Sequence, residues 1–230
     1  MGKEVSVVIP CLNEEKGVRI CIGKIQDVFD KHNINGEIVI VDNGCTDNTI
    51  NVVKFFSDLD DRIKVVYQPL KGYGNAYLAG FKHASGKIIV MGDADNSYDF
   101  YDIPRFLSEI ENGSDFVIGN RRIIKNGSMP ALHRYIGRPM FSVLMKGFFD
   151  LKISDSHCGF GAIKKESLDK LNLKSGGMEF ASEILIKARK NDLKIKEIPI
   201  VYSPRLGESK LRTFKDGARH LSLITWEVLR

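Results

Sequence analysis

The chain of 230 residues is long enough for one large domain with a single core, or at most two small domains. It is 43% hydrophobic and 27% charged, as globular proteins are, and it contains no apolar run of about eighteen residues that could cross a bilayer. The 4 cysteines lie far apart without CxxC spacing, which argues against a disulfide framework or structural zinc and favours a reducing compartment.

Apolar runs rich in β-branched residues alternate with helical patterns in the first half of the chain. The runs cover 5–9, 37–41, 63–67, 87–91 and 115–119, and the helices cover about 14–31, 47–57, 75–84 and 102–112. Continuous apolar runs indicate strands that are buried on both faces of a parallel sheet. The alternation predicts βαβ units with right-handed crossovers.

The pattern changes after residue 120. The next elements predicted are an apolar-rich helix at 131–149, the strand-like piece CGFGAI, a helix at 178–190, a strand at 194–202, a basic loop and a helix from 213. No repeat, low-complexity tract or linker interrupts them. We therefore expect one domain over 1–230.

Basic residues cluster in two segments. No Asp or Glu occurs from 119 to 149, and a second cluster near the C-terminus comprises Arg205, Lys210, Arg212, Lys215 and Arg219. Such clusters attract phosphates, anionic lipid or nucleic acid, although a solvated face explains a single cluster equally well. Because no nucleic-acid recognition module accompanies them, nucleic acid is not expected as a partner.

Acidic, turn-forming residues follow three of the predicted strands, at 10–14, 42–47 and 93–99. In an open parallel sheet, ligands bind beyond the carboxyl ends of the strands. Like charges at one edge repel each other, so a bound cation, or ribose hydroxyls that donate hydrogen bonds, would give these acidic turns a function. Asp93 and Asp95 can reach a hard cation that also holds a diphosphate. An isolated DxD is as easily a turn that caps a helix, but its position beside two other acidic tips favours the cation.

Seven segments carry a resemblance to a known family. In chain order they read VVIPCLNEE, VDNGCTDNT, GYGNAYLAG, GDADNSYD, IGNRR, ISDSHCGFGAIKKE and EIPIVYSPRLGESKLRTFKDG. They resemble the motifs of family 2 glycosyltransferases with the GT-A fold, especially the polyprenyl-phosphate (dolichol-phosphate) mannose or glucose synthases. The resemblance implies an α/β fold with a mostly parallel twisted sheet flanked by helices. Residues 1–120 would form the nucleotide-sugar half and 121–230 the acceptor half.

The resemblance also implies roles for individual residues. The base and ribose of the nucleotide would be framed by Pro10, Leu12, Glu14 and Asp42, and the nucleoside would also contact Asp93 and Ala94. The metal ion, Mg²⁺ or Mn²⁺, would be ligated by Asp95. The phosphates would be held by Arg121 and Arg205, with Ser209 and Lys210 nearby. Two positions depart from the family. Ser97 stands where the synthases usually have Gln, so its hydroxyl or a water would complete the metal shell. Gly161 stands where they usually have Arg.

The implied reaction is inverting transfer of a hexose from a UDP- or GDP-sugar, in which the metal on Asp95 and the Arg121 guanidinium stabilise the departing diphosphate. Asp155 is the candidate base or acceptor-orienting group, although a turn or cap residue is a close alternative. A polyprenyl or dolichyl phosphate acceptor needs little base, because it is already largely a dianion at neutral pH. The helix at 131–149 offers either a surface for an isoprenoid tail or core packing.

Three functions remain open from the sequence. The first is transfer to a polyprenyl phosphate at the cytoplasmic face of a membrane, by a peripheral or anchored enzyme. The second is transfer to a saccharide or another hydroxyl. The third is a module that binds nucleotide or lipid without catalysis. The chain stops on a helical pattern, so we also expect truncation before C-terminal membrane helices.

Overall fold

Seven strands form one sheet in the computed structural model, which describes residues 2–230. They are β1 (Val5–Cys11), β2 (Gly36–Asp42), β3 (Ile63–Tyr67), β4 (Ile88–Met91), β5 (Phe116–Ile124), β6 (Gly161–Lys164) and β7 (Ile195–Tyr202). Their order across the sheet is β3-β2-β1-β4-β6-β5-β7. Strand β6 runs antiparallel to β4 and β5, and the other paired strands run parallel. The prediction of a mostly parallel sheet flanked by helices is confirmed.

Eight α-helices connect and cover the strands of the described chain. They are α1 (Glu15–Lys31), α2 (Thr49–Leu59), α3 (Tyr73–His83), α4 (Ile103–Glu111), α5 (Arg138–Phe149), α6 (Lys165–Lys170), α7 (Phe180–Lys190) and α8 (Thr213–Val228). The helix predicted at 131–149 is interrupted, because a π-helical turn at His133–Gly137 precedes α5. Within residues 2–230 no helix is long and apolar enough to cross a membrane.

The core lies on both faces of the first strands. Strand β1 is buried except at Pro10, and β2 is buried except at Asp42. Helix α3 lies close over this part of the sheet, because a Cβ on Gly80 would come within 2.4 Å of Val8 Cγ1. A larger residue at this position would force the helix away from the sheet.

The strand register places three acidic turns at one edge. Cys11 at the end of β1 pairs with Asp42 at the end of β2, and Val8 pairs with Met91 at the end of β4. The segments 10–14, 42–47 and 93–99 therefore begin side by side. Strand β5 has a register shift between Asn120 and Ile123, and such bulges redirect the intervening side chains.

Candidate active site at the carboxyl edge of the sheet

Asp95 is the carboxylate at the centre of this edge. Its side chain is 3% exposed on the turn that follows β4. Its Oδ1 accepts a hydrogen bond from the Ser97 backbone N–H at 2.9 Å, and its Oδ2 lies 3.1 Å from Arg205 Nη2. The N-terminal turn of α1 presses against this segment, since a Cβ on Gly17 would lie 2.3 Å from the Ala94 carbonyl oxygen. The turn is thus held from two sides.

Several buried oxygens around Asp95 have no hydrogen-bond partner in the described part of the chain. They include Glu14 Oε2, Asn96 Oδ1 and Ser97 Oγ. Buried polar atoms are normally satisfied, so orphaned oxygens beside a carboxylate indicate a ligand. Asp95 and the Ser97 hydroxyl are hard oxygen donors of the kind that Mg²⁺ and Mn²⁺ prefer. These residues fit a divalent cation. Residues 2–230 contain no cluster of three His, Cys, Asp or Glu side chains arranged for a metal, so diphosphate oxygens would supply much of the shell.

Two further carboxyl groups near Asp95 have perturbed acidity. Asp93 Oδ1 accepts a hydrogen bond from the Tyr73 hydroxyl at 3.0 Å. Burial and the neighbouring charge of Asp95 raise the pKa of Asp93 to about 7. Burial and Asp95 also raise the pKa of Glu14 to about 7, although Lys210 and Arg205 oppose this. Ionisation of these two carboxyl groups is therefore disfavoured beside Asp95, and a bound cation would favour it.

The predicted nucleoside-binding residues lie at the ends of β1, β2 and β4. Pro10 and Leu12 are partly exposed, and Ala94 is buried. Asp42 Oδ1 accepts two hydrogen bonds, at 2.9 and 3.0 Å, from backbone N–H groups of the turn that follows it. Asn13 ties the two turns together, because its Oδ1 accepts a hydrogen bond from the Thr46 backbone N–H at 2.7 Å. The structure brings these residues together, and their role in binding a nucleoside stays a prediction.

Arg121 and Asp155 form a buried ion pair on the other side of the site. Asp155 is fully buried and Arg121 is 9% exposed. Arg121 Nε and Nη2 donate to the two Asp155 oxygens at 2.8 and 2.7 Å, and the Arg121 backbone N–H donates at 3.0 Å. Arg138 Nη1 lies 3.7 Å from the same carboxylate.

The geometry of Asp155 is unfavourable to direct contact with an acceptor, and its role as base or acceptor-orienting group stays a prediction. Burial raises its pKa, but the Arg121 guanidinium outweighs burial and holds the pKa below its usual range. Both oxygens already accept hydrogen bonds from Arg121. A general base needs a lone pair within reach of the acceptor and a pKa near the working pH.

Sequence reasoning missed a buried network behind Arg121. Arg121 Nη2 donates to the His157 carbonyl oxygen at 3.0 Å. His157 Nε2 lies 3.0 Å from Ser182 Oγ and 3.1 Å from His220 Nδ1. Tyr73 and Arg138 were also not predicted as site residues. These residues come from separate elements of the fold, so their spacing in the sequence does not reveal that they meet. The only indications in the sequence are that a tyrosine, Tyr73, occurs in GYGN and a histidine, His157, in DSHCG.

The basic loop, residues 203–212 between β7 and α8, lies over the Asp95 turn. The Ser203 backbone N–H donates to the Ser97 carbonyl at 3.0 Å, and the Leu206 backbone N–H donates to the Asp95 carbonyl at 2.8 Å. This loop places Arg205 on Asp95 and brings the charge of Lys210 near Glu14. Ser209, by contrast, is exposed.

The two departures from the family pattern have local explanations. Ser97 is 1% exposed, and its hydroxyl is among the orphaned oxygens beside Asp95. Gly161 begins β6, where an added Cβ would lie 2.8 Å from the Val117 carbonyl oxygen on β5. A side chain at position 161 would therefore collide with the neighbouring strand.

Comparison with known proteins agrees with this geometry. Residues 6–171 match the sequence model of Glycosyl transferase family 2. The chain belongs to this family. It is 39% identical over 220 residues to the low-salt glycan biosynthesis hexosyltransferase Agl6 of Haloferax volcanii, with 94% of this chain and 52% of the relative covered. It is 33% identical over 236 residues to a dolichol-phosphate mannosyltransferase of Pyrococcus furiosus, with 97% and 64% covered. The chain thus spans between half and two thirds of the length of these relatives.

Solved structures confirm the predicted GT-A fold. Glucosyl-3-phosphoglycerate synthase from Mycobacterium tuberculosis, in complex with phosphoglyceric acid, matches with a TM-score of 0.77 and 20% identity over 98% of this chain and 80% of that chain. The same enzyme in complex with Mn²⁺, UDP-glucose and phosphoglyceric acid matches with a TM-score of 0.75 and 19% identity over 98% and 80%. At this identity the likeness establishes the fold alone.

Proposed function

We propose that this chain is a metal-dependent, inverting glycosyltransferase that moves a hexose from a UDP- or GDP-sugar to a polyprenyl or dolichyl phosphate at the cytoplasmic face of a membrane. The observation that carries the proposal is the buried Asp95 carboxylate, surrounded by orphaned oxygens and two further acidic groups at the sheet edge. This edge is where open α/β sheets bind nucleotides.

The leaving group requires most of the catalytic help, since it departs as a nucleoside diphosphate. Asp95 and Ser97 would hold Mg²⁺ or Mn²⁺, which supplies positive charge to the diphosphate when it is bound. Arg205 and Lys210 on the basic loop would bind phosphate oxygens from the open side. Arg121, held rigid by Asp155, would present a fixed positive charge with little reorganisation during the reaction.

A lipid acceptor is supported by the surface of the second half of the chain. Helix α5 fully buries only Ser142 and Met145, and its Phe141 and Phe149 pack partly against the core, so core packing explains only part of its apolar composition. Exposed apolar side chains cover this helix and the preceding turn: Leu132, Tyr135, Ile136, Met140, Val143 and Phe148. The turn joins α8 through a 3.0 Å contact between His133 Nε2 and Thr213 Oγ1. Phe214 and Trp226 on α8 are also exposed.

Basic side chains accompany the apolar surface. Lys146 on α5 and Arg212 and Lys215 at the start of α8 are exposed. Apolar side chains beside lysine and arginine favour the interface of an anionic membrane. Because Asp155 is paired with Arg121, it is poorly placed to act as a general base. A phosphate acceptor is compatible with this pairing, because a phosphate dianion attacks without a general base. The 4 cysteines are unpaired, in keeping with the cytoplasmic face.

The direct test is transfer of radiolabelled hexose from UDP-glucose and GDP-mannose to polyprenyl phosphate in anionic vesicles with Mn²⁺. We expect label in the organic phase with one donor, and a loss of about 10²–10³-fold in the Asp95→Asn variant. Asp99→Asn is the matched control, because Asp99 lies on the same turn but pairs with Lys24 at 3.0 Å. Label that appears only in water-soluble product would refute the lipid acceptor.

A hydroxyl acceptor is the second candidate, and Glu179 is the observation that favours it. Its Oε2 is buried and accepts no hydrogen bond within residues 2–230, and Arg219 Nη1 lies 4.0 Å from it. Glu179 follows a segment in which the Gly176 and Gly177 carbonyls accept hydrogen bonds from the start of α3. The same helix carries Tyr73, whose hydroxyl donates to Asp93. Glu179→Gln should lower transfer about 10²-fold or more if this carboxylate deprotonates a hydroxyl. It should have a small effect if the acceptor is a phosphate.

A further inference from the structure

The Arg205 guanidinium contacts Asp95, the carboxylate to which a divalent cation would bind. Within the described chain, Asp95 Oδ1 is engaged by the Ser97 N–H and Oδ2 by the Arg205 guanidinium, so both oxygens already have partners. The guanidinium also lies in the field of Asp93. Arg205 is thus the cation in direct contact with Asp95 within the described chain.

The segment that carries Arg205 is attached to the same turn by its backbone. The Leu206 N–H binds the Asp95 carbonyl, and the Ser203 N–H binds the Ser97 carbonyl. A Cβ on Gly207 would lie 3.3 Å from Glu14 Oε2, so the loop also covers the orphaned oxygen of Glu14. Whatever enters beside Asp95 therefore meets the Arg205 side chain and the loop that covers it.

We propose that Arg205 is a positioning residue that acts as an internal counter-ion at Asp95, and that a divalent ion and a diphosphate bind together because they replace this contact. The inference rests on the proposed function, since it assumes that metal and diphosphate bind at this edge. A divalent ion beside Asp95 repels the guanidinium, and the repulsion is strong because Asp95 is buried. A diphosphate then offers the displaced guanidinium oxygens that it can bind in a bidentate manner.

The arrangement has consequences of opposite sign for the two ligands. Arg205 opposes binding of the metal alone, because the metal must displace it. Arg205 favours binding of the diphosphate, because it supplies a bidentate cation. Each ligand must then strengthen the other by the same factor, and such coupling is typically about 5–150-fold.

The test measures Mn²⁺ binding by electron paramagnetic resonance of the free ion, with and without UDP or GDP, and requires no turnover. In Arg205→Gln we expect Mn²⁺ alone to bind about fivefold or more tightly, and the enhancement by nucleotide to shrink. Arg205→Lys keeps the charge and should behave more like the natural chain. Lys210→Gln removes a neighbouring charge that does not contact Asp95, so its Mn²⁺ affinity should change less than that of Arg205→Gln.

The outcomes separate this inference from the proposed function. If Asp95→Asn abolishes Mn²⁺ binding but Arg205→Gln binds Mn²⁺ no more tightly than the natural chain, the counter-ion role is wrong and the metal site stands. An equal gain in Arg205→Gln and Lys210→Gln would also overturn the inference, because the effect would then be general charge removal. If the natural chain binds no Mn²⁺ even with UDP or GDP, the metal-dependent function itself is wrong.

Discussion

His220 is a buried histidine whose protonation should destabilise the fold at mildly acidic pH. Its side chain on α8 is 5% exposed, and its Nδ1 lies 2.7 Å from Ser182 Oγ and 3.1 Å from His157 Nε2. Burial lowers its pKa to about 4, although the charges of Glu179 and Asp216 oppose this. Burial and the neighbouring His220 also lower the pKa of His157.

The size of the effect follows from the two pKa values. The unfolded chain takes up this proton near pH 6.5 and the folded chain only near pH 4, so stability is present above pH 6.5 and is lost as the pH falls toward 4. At about 1.36 kcal/mol per pKa unit, acidification from about pH 7.5 to about pH 4.5 removes about 2.5 kcal/mol through His220 alone.

Urea denaturation at a series of pH values measures this loss. Between about pH 7.5 and about pH 4.5, the free energy of unfolding should fall by about 2.5 kcal/mol less in His220→Gln than in the natural chain. His32→Gln serves as a control because His32 is exposed, and it should keep the natural slope. The carboxylates common to all three proteins cancel in the comparison. Equal slopes for His220→Gln and the natural chain would refute the reasoning.

Two further substitutions test the site. Asp155→Asn should destabilise the fold by about 3–5 kcal/mol, because it leaves the Arg121 guanidinium buried without its counter-charge; a loss below about 1 kcal/mol by urea denaturation would contradict the buried pair. Gly17→Ala should cost about 1–3 kcal/mol and weaken Mn²⁺ binding, because the new Cβ would lie 2.3 Å from the Ala94 carbonyl oxygen. Gly23→Ala on the same helix meets nothing within 4 Å and should be neutral or slightly stabilising, so equal effects of the two alanines would refute the close contact.

Much of the first half of the fold could be predicted because its signals are local. Each of β1, β2 and β4 is a continuous apolar run followed at once by a polar turn, and the rule for parallel sheets brings the three turns to one edge. Asp93 and Asp95 could be singled out for the same reason. The short helix α6 was not predicted, because its six residues are too few for a periodic pattern.

The contacts that complete the site are not local, and the sequence does not reveal them. Asp155 and Arg121 are 34 residues apart, and His157 and His220 are 63 apart. Asp155 could therefore be chosen as a functional carboxylate, but its burial against a guanidinium depends on packing. The same holds for Arg205, which could be predicted to bind phosphate but not to lie on Asp95.

Anomalous diffraction from a crystal soaked with Mn²⁺ and a nucleoside diphosphate tests the central claim most directly. We predict a manganese peak on the Asp95 carboxylate, between that side chain and the two phosphates. The Ser97 hydroxyl should lie in or next to the metal shell, and the Arg205 guanidinium should have moved onto a phosphate. A nucleotide bound away from the ends of β1, β2 and β4, with no manganese at Asp95, would contradict it.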